Sequence, residues 1–173
     1  VPNYLTRMKS ALKSAENFPV NKVYIMDSGP AAILGASLDY KVKNLDTIIT
    51  LDMATSHTLS AILVKDKIWG FFEYHTKDIT KEKLEELLFR LANGDISHEQ
   101  IINEGGHGAY IEKAPGYSKI QAIITTGPKR SIIENSKYKI HFGAPLGDNM
   151  MTGTCGLLEA LNRREKLGLN ING

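Results

Sequence analysis

Between Ile48 and Tyr74 three apolar runs, Ile48–Leu51, Leu59–Lys65 and Ile68–Tyr74, follow one another across turns too short to hold a helix. Runs so closely spaced pair antiparallel, because a parallel neighbour needs a crossover of about a dozen residues or more. A three-strand meander is therefore the expected centre of the fold, with Lys65-Asp66-Lys67 turning between its last two strands. Trp69, inside the meander, reads as core.

Beyond the meander the pattern becomes helical. Thr80 can cap a helix that carries Leu84, Leu87, Leu88 and Leu91 on one face and stops at Asn93-Gly94. Ser97 and Gln100 form a capping-box pair for a second short helix, running to Gly105-Gly106-His107-Gly108. Ile79 with Leu84, and Ile96 with Ile101, stand where hydrophobic staples would. Ile120–Thr125 reads as a buried strand, Thr126–Ser131 opens a short helix, and Tyr138–Phe142 is the last strand. A final helix is expected from about Asp148 to Gly168. Helical crossovers place the two later strands parallel to the first meander strand. The expected fold is α/β, a mixed five-stranded sheet flanked by helices, in a single domain over residues 1–173. Residues 1–40 should add a helix over Tyr4–Ala15, a short strand at Lys22–Met26 and a small-residue helix at Ala31–Leu38, packed on that domain.

Composition narrows the function classes. With 42% hydrophobic and 23% charged residues the chain can bury a real core. A net charge of +2, with no more than two basic residues adjacent, argues against nucleic acid as the partner. No apolar run is long enough to cross a bilayer, and no signal-peptide pattern opens the chain. Cys155 is the only cysteine, so no internal disulfide forms and a cytoplasmic location is expected. The chain opens on Val1 rather than Met, which leads us to expect a piece of a longer protein.

Chemistry concentrates in turns. Asp52-Met53-Ala54-Thr55-Ser56-His57-Thr58 joins two strands with one carboxylate, three hydroxyls and several backbone N–H groups, where a plain hairpin would carry Asn-Gly or Asp-Gly. Phosphate oxygens and a divalent cation need those donors and that charge. Equally, the turn can be a polar hairpin and no more. In Thr126-Gly127-Pro128, Gly127 permits close approach to the backbone and Pro128 presets a helical turn. Lys129 and Arg130 can reach phosphate or lie on a solvated surface. Three glycines around His107 expose an imidazole that can join His57 and Asp52 as a metal or acid–base group, or simply end a helix. His98 begins HEQII, which lacks the second histidine of a zinc-protease motif. His75 and His141 read as packing or solvent-facing residues. Gly153 and Gly156 each cost a helix about 1 kcal/mol against alanine, so a helix or a ligand should lie close to them. Asp148 reads as a helix cap.

Four segments in this order, DSGPAAILGASLD (27–39), LDMATSHTLSAIL (51–63), IITTGPKRSII (123–133) and GDNMMTGTCGLLEAL (147–161), resemble the second half of the actin, hexokinase and heat-shock chaperone ATPase superfamily. They are similar, in turn, to its connecting helix, second phosphate loop, adenosine motif and second connecting helix. The resemblance implies a ribonuclease-H-like sheet and a nucleotide site that uses ATP and Mg²⁺ for phosphoryl transfer or hydrolysis. It implies that Asp52 positions the metal and that Ala54, Thr55, Ser56 and Thr58 form the phosphate loop, with Ala54 where glycine is usual. Thr126, Gly127, Lys129 and Gly153 would face nucleotide, and an N-terminal half of the same protein would close the cleft. A homo-oligomer stays open. So do two rivals: a non-catalytic binding or assembly module on the same fold, and a metal-dependent hydrolase using Asp52, His57 and His107. Closer still, the segments resemble an archaeal family often labelled pyruvate formate-lyase activating enzyme. Such an activase needs an iron–sulfur cluster on three cysteines, and this chain has one.

Overall fold

The computed structural model describes residues 1–171. Helix α1 (Thr6–Ala15) and helix α2 (Ser28–Ser37) precede the meander β1 (Thr47–Met53), β2 (His57–Val64) and β3 (Lys67–His75). Helices α3 (Lys81–Asn93) and α4 (His98–Asn103) lead to β4 (Gly108–Ile111) and then to β5 (Ala122–Thr126), β6 (Ile140–Phe142) and α5 (Thr152–Glu165). The strands form one mixed sheet in the order β4-β3-β2-β1-β5-β6. The meander is antiparallel, and β5 and β6 run parallel to β1, as its short turns and later crossovers lead one to expect.

The sheet has six strands, not five. The additional one is β4, which the glycine-rich turn feeds onto the free edge of β3, pairing Glu73 with Gly108 and Gly70 with Ile111. Four residues with one polar–apolar alternation are too few for periodicity to mark. Residues 22–26 form no strand. The helix expected after Pro128 is a single 3₁₀ turn, Arg130–Ile133.

Sheet alternation divides the core. Ile49, Leu51 and Met53 of β1 point to one face, where α3 lays Leu84, Leu87, Leu88 and Leu91, all fully buried. Thr80 caps α3 through Lys83 N–H, Gly94 ends it at φ 79°, and the Ser97–Gln100 capping box starts α4. Trp69 packs, half-buried, against this core. Ile48, Ala61, Leu63 and Ile124 point to the other face, against Ile33 and Ala36 of α2. Here α2 and α5 cross with almost no separation. A Cβ on Gly35 would run into the Thr152 carbonyl, and one on Gly156 into the Ala31 carbonyl. Gly156 therefore serves a neighbouring helix. Gly153 has open space where its Cβ would stand. Helix α1 buries no residue. Among the described residues no helix is long and apolar enough to cross a membrane.

Candidate functional site

The parallel pairing of β1 with β5 brings two of the chemically loaded turns to one end of the sheet. Asp52 and Thr126 are register partners, and the Thr126 hydroxyl donates to Asp52 Oδ1 at 3.1 Å. No hydrogen bond from the described residues reaches the second carboxylate oxygen. Burial pushes the Asp52 carboxyl above its ordinary range, and the Thr126 hydroxyl works against that shift. A desolvated carboxylate at the mouth of a sheet is a candidate functional group.

The hairpin tip beside it is tightly fastened. Ala54 N–H donates to the His57 carbonyl at 3.1 Å, closing a turn over Thr55 and Ser56, both exposed. Thr76, just past β3, donates its N–H to the Ser56 carbonyl and its hydroxyl to the Ala54 carbonyl at 2.8 Å. None of residues 54–56 has a positive φ. Alanine in place of glycine at 54 therefore costs this turn no backbone strain. Thr58 departs from expectation. Its side chain points to the α3 face, fully buried, and its hydroxyl shares a 3.0 Å hydrogen bond with Thr76. It braces the turn from below and has no access to a ligand.

Gly127 is also a structural residue here. It is buried at φ 91°, a Cβ would strike the Met53 backbone, and its N–H donates to Asn149 Oδ1 at 2.9 Å. Its missing Cβ leaves the space that the end of β1 occupies. Asn149 links this turn to the start of α5, where Asp148 caps the entering 3₁₀ turn through Met150 N–H. Gly153 lies in the first turn of α5. Lys129 is exposed, whereas Arg130 is held by the Gly143 carbonyl and the Phe142 ring.

A second cluster forms at the same end of β2 and β3. His57 and His75 are cross-strand partners, and His107 enters beside them. The ring centroids lie 5.5 Å (57–75), 4.6 Å (57–107) and 4.2 Å (75–107) apart. Each residue offers a ring nitrogen within 4.8 Å of the others. His75 is half-buried and the other two are exposed. The glycines of GGHG make this approach possible. Gly105 ends α4 at φ 88°, and a Cβ on Gly106 would strike Ile101 and Tyr74. The Tyr74 hydroxyl donates to the Glu104 carbonyl, and His107 N–H donates to the Glu73 carbonyl at 2.9 Å.

The expected grouping of His107 and His57 with Asp52 is thus corrected. His75 completes the cluster, and among the described residues Asp52 is not part of it. His75 was missed because of a bulge. Next to the two-residue turn Val64 faces Lys67, but past Trp69 the pairing slips by one, so that Ile62 faces Gly70 and His57 faces His75. Without that extra residue His75 would point to the opposite face. His141 lies in β6, half-buried.

A family model described as “Putative pyruvate format-lyase activating enzyme (DUF1786)” matches residues 1–132. No curated protein matches the chain.

Proposed function

The chain belongs to the “Putative pyruvate format-lyase activating enzyme (DUF1786)” family, and we propose that it supplies the phosphate- and metal-facing half of an actin-like nucleotide site. The observation that carries this reading is the meeting of Asp52, the 54–57 turn, Thr126 and the start of α5 at the carboxyl ends of the parallel strands β1 and β5. Open α/β sheets bind ligands at that end. The order β3-β2-β1-β5-β6, antiparallel then parallel, is the order a ribonuclease-H-like sheet requires, with β4 added at its edge. Helices α2 and α5 cross beneath it in close contact at Gly35 and Gly156.

The residues present fit Mg²⁺–ATP in part. Asp52 offers one uncommitted carboxylate oxygen, suited to hold a cation through its water shell. Thr55 and Ser56 present exposed hydroxyls on a turn that Thr76 keeps rigid, so phosphate can be met without reordering the loop. Gly153 leaves room for close approach at the α5 end, and Lys129 is free to reach outward. Bound Mg²⁺ would neutralise developing charge on the phosphates. Closing the cleft and supplying a general base fall to a second half, in the same polypeptide or another. Activase chemistry is a poor fit to this chain. Its single thiol, Cys155, is buried in α5, where burial pushes it up and away from the thiolate that binds iron.

A non-catalytic module on the same fold is the competing reading. Ala54, where the resembled superfamily usually has glycine, is the feature that favours it, and the turn around Ala54 carries no positive φ. Calorimetry with Mg²⁺–ATP on protein carrying both halves of the cleft separates the two. Asp52→Asn keeps shape and removes the charge, and should weaken Mg²⁺-dependent binding at least about tenfold, roughly 1.4 kcal/mol. Equal affinities with and without the carboxylate would favour the module.

A further inference from the structure

We propose that His57, His75 and His107 form a binding site for one divalent transition-metal ion, with Zn²⁺ the natural occupant. Three neutral imidazoles without thiolate or carboxylate suit Zn²⁺, Cu²⁺, Ni²⁺ or Co²⁺ far better than Mg²⁺ or Ca²⁺, which demand oxygen. The site is therefore chemically distinct from the one assigned to Asp52, and it stands or falls independently of nucleotide binding.

The geometry is close to what a metal needs. Zn–N bonds of about 2.0–2.1 Å at tetrahedral angles put ligand nitrogens roughly 3.4 Å apart. The three nitrogens already lie within 4.8 Å of one another, so small side-chain rotations close the set. Backbone pairing holds each ligand. His57 and His75 face each other across β2 and β3, and the hydrogen bond from His107 N–H to Glu73 fixes the third. Histidines on paired strands lose little freedom on binding. None of the three rings makes a hydrogen bond to the described residues, which leaves their nitrogens for water or a ligand.

The bulge at Trp69 adds weight to this assignment. It spends a strand residue to turn His75 toward His57, and the glycines at 105, 106 and 108 bring His107 over both. Two independent departures from regular structure thus converge on one point. No aspartate, glutamate or cysteine among the described residues joins the group. The fourth position accordingly opens toward solvent between exposed His57 and His107, as in a zinc site that keeps a place for water or an anionic oxygen.

The test uses untagged protein stripped with a chelator, in buffer free of nucleotide. Zn²⁺ titration by calorimetry should give one ion per chain, and Co²⁺ should give the intense visible bands of four-coordinate cobalt. His107→Gln, on the exposed turn, should lower Zn²⁺ affinity at least about tenfold and remove the cobalt bands, while circular dichroism stays that of the wild type. His75→Gln should do the same. His98→Gln, whose ring lies beside Gly108 but outside the cluster, should bind as wild type does. No Zn²⁺ heat in large excess, or wild-type affinity in a correctly folded His107→Gln, would overturn the assignment, as would equal losses in His98→Gln.

Discussion

Burial holds the Asp52 carboxyl above its ordinary value, and the Thr126 hydroxyl offsets that loss of water only in part. The sign of its effect on stability follows. Between the unfolded-state value, about 3.9, and the higher folded-state value, the folded chain holds the proton more tightly. Stability therefore falls as pH rises through that window, and the penalty is present in full above it. Asn at position 52 keeps an acceptor for Thr126 without the charge. In metal-free buffer Asp52→Asn should melt at a higher temperature than wild type at pH 7, with the gap closing as pH drops below the ordinary carboxylate range. A pH series of thermal melts measures this, and a variant less stable at pH 7 would contradict it. The substitution expected to weaken Mg²⁺-dependent binding is thus also expected to stabilise the fold, as happens when a strained group is kept for function.

Helix α5 carries two glycines three residues apart whose surroundings make opposite demands. At Gly156 the Ala31 carbonyl of α2 occupies the place of a Cβ, so alanine there must push the helices apart at a cost of about 1–3 kcal/mol. At Gly153 nothing stands within 4 Å of that place, so alanine gains helix propensity, up to about 1 kcal/mol. Denaturant melts should show Gly156→Ala destabilised and Gly153→Ala stabilised. Equal destabilisation of both would mean that α5 packs differently. If Gly153→Ala stabilises the fold yet weakens nucleotide binding, close approach of a ligand is the remaining reason for that glycine. Helix α3 shows none of this tension. The Thr80 cap, the leucine face and the αL Gly94 all agree, which is why its limits could be read from its residues.

Across the molecule, protection should follow burial. β1, β2 and β5 lie inside the six-stranded sheet, with fully buried residues on both faces of β1 and β2. α1 buries none, and β4 is a four-residue edge strand. Hydrogen exchange should therefore be slowest in β1, β2 and β5, faster in β4, and fastest in α1. Protection of α1 equal to that of β1 would require a packing partner for α1.

The meander, the parallel placing of β5 and β6, and the capped helix α3 were legible in the residues, because turn lengths, apolar spacing and cap chemistry are local properties. The Asp52 turn stood out for the same reason: its composition is wrong for an ordinary hairpin. What no local property carries is register. Whether His75 shares a face with His57 depends on the single bulged residue Trp69, and its carbonyl accepts N–H bonds from Glu112 and Lys113, just past the neighbouring strand β4 and some forty residues on in the chain. Equally, the burial of Gly127 against Met53 and the capture of the Thr58 hydroxyl by Thr76 join segments distant in the chain. The residue types suited to phosphate or metal were written in the sequence. Which of them face solvent, and which brace the turn, was decided by long-range pairing.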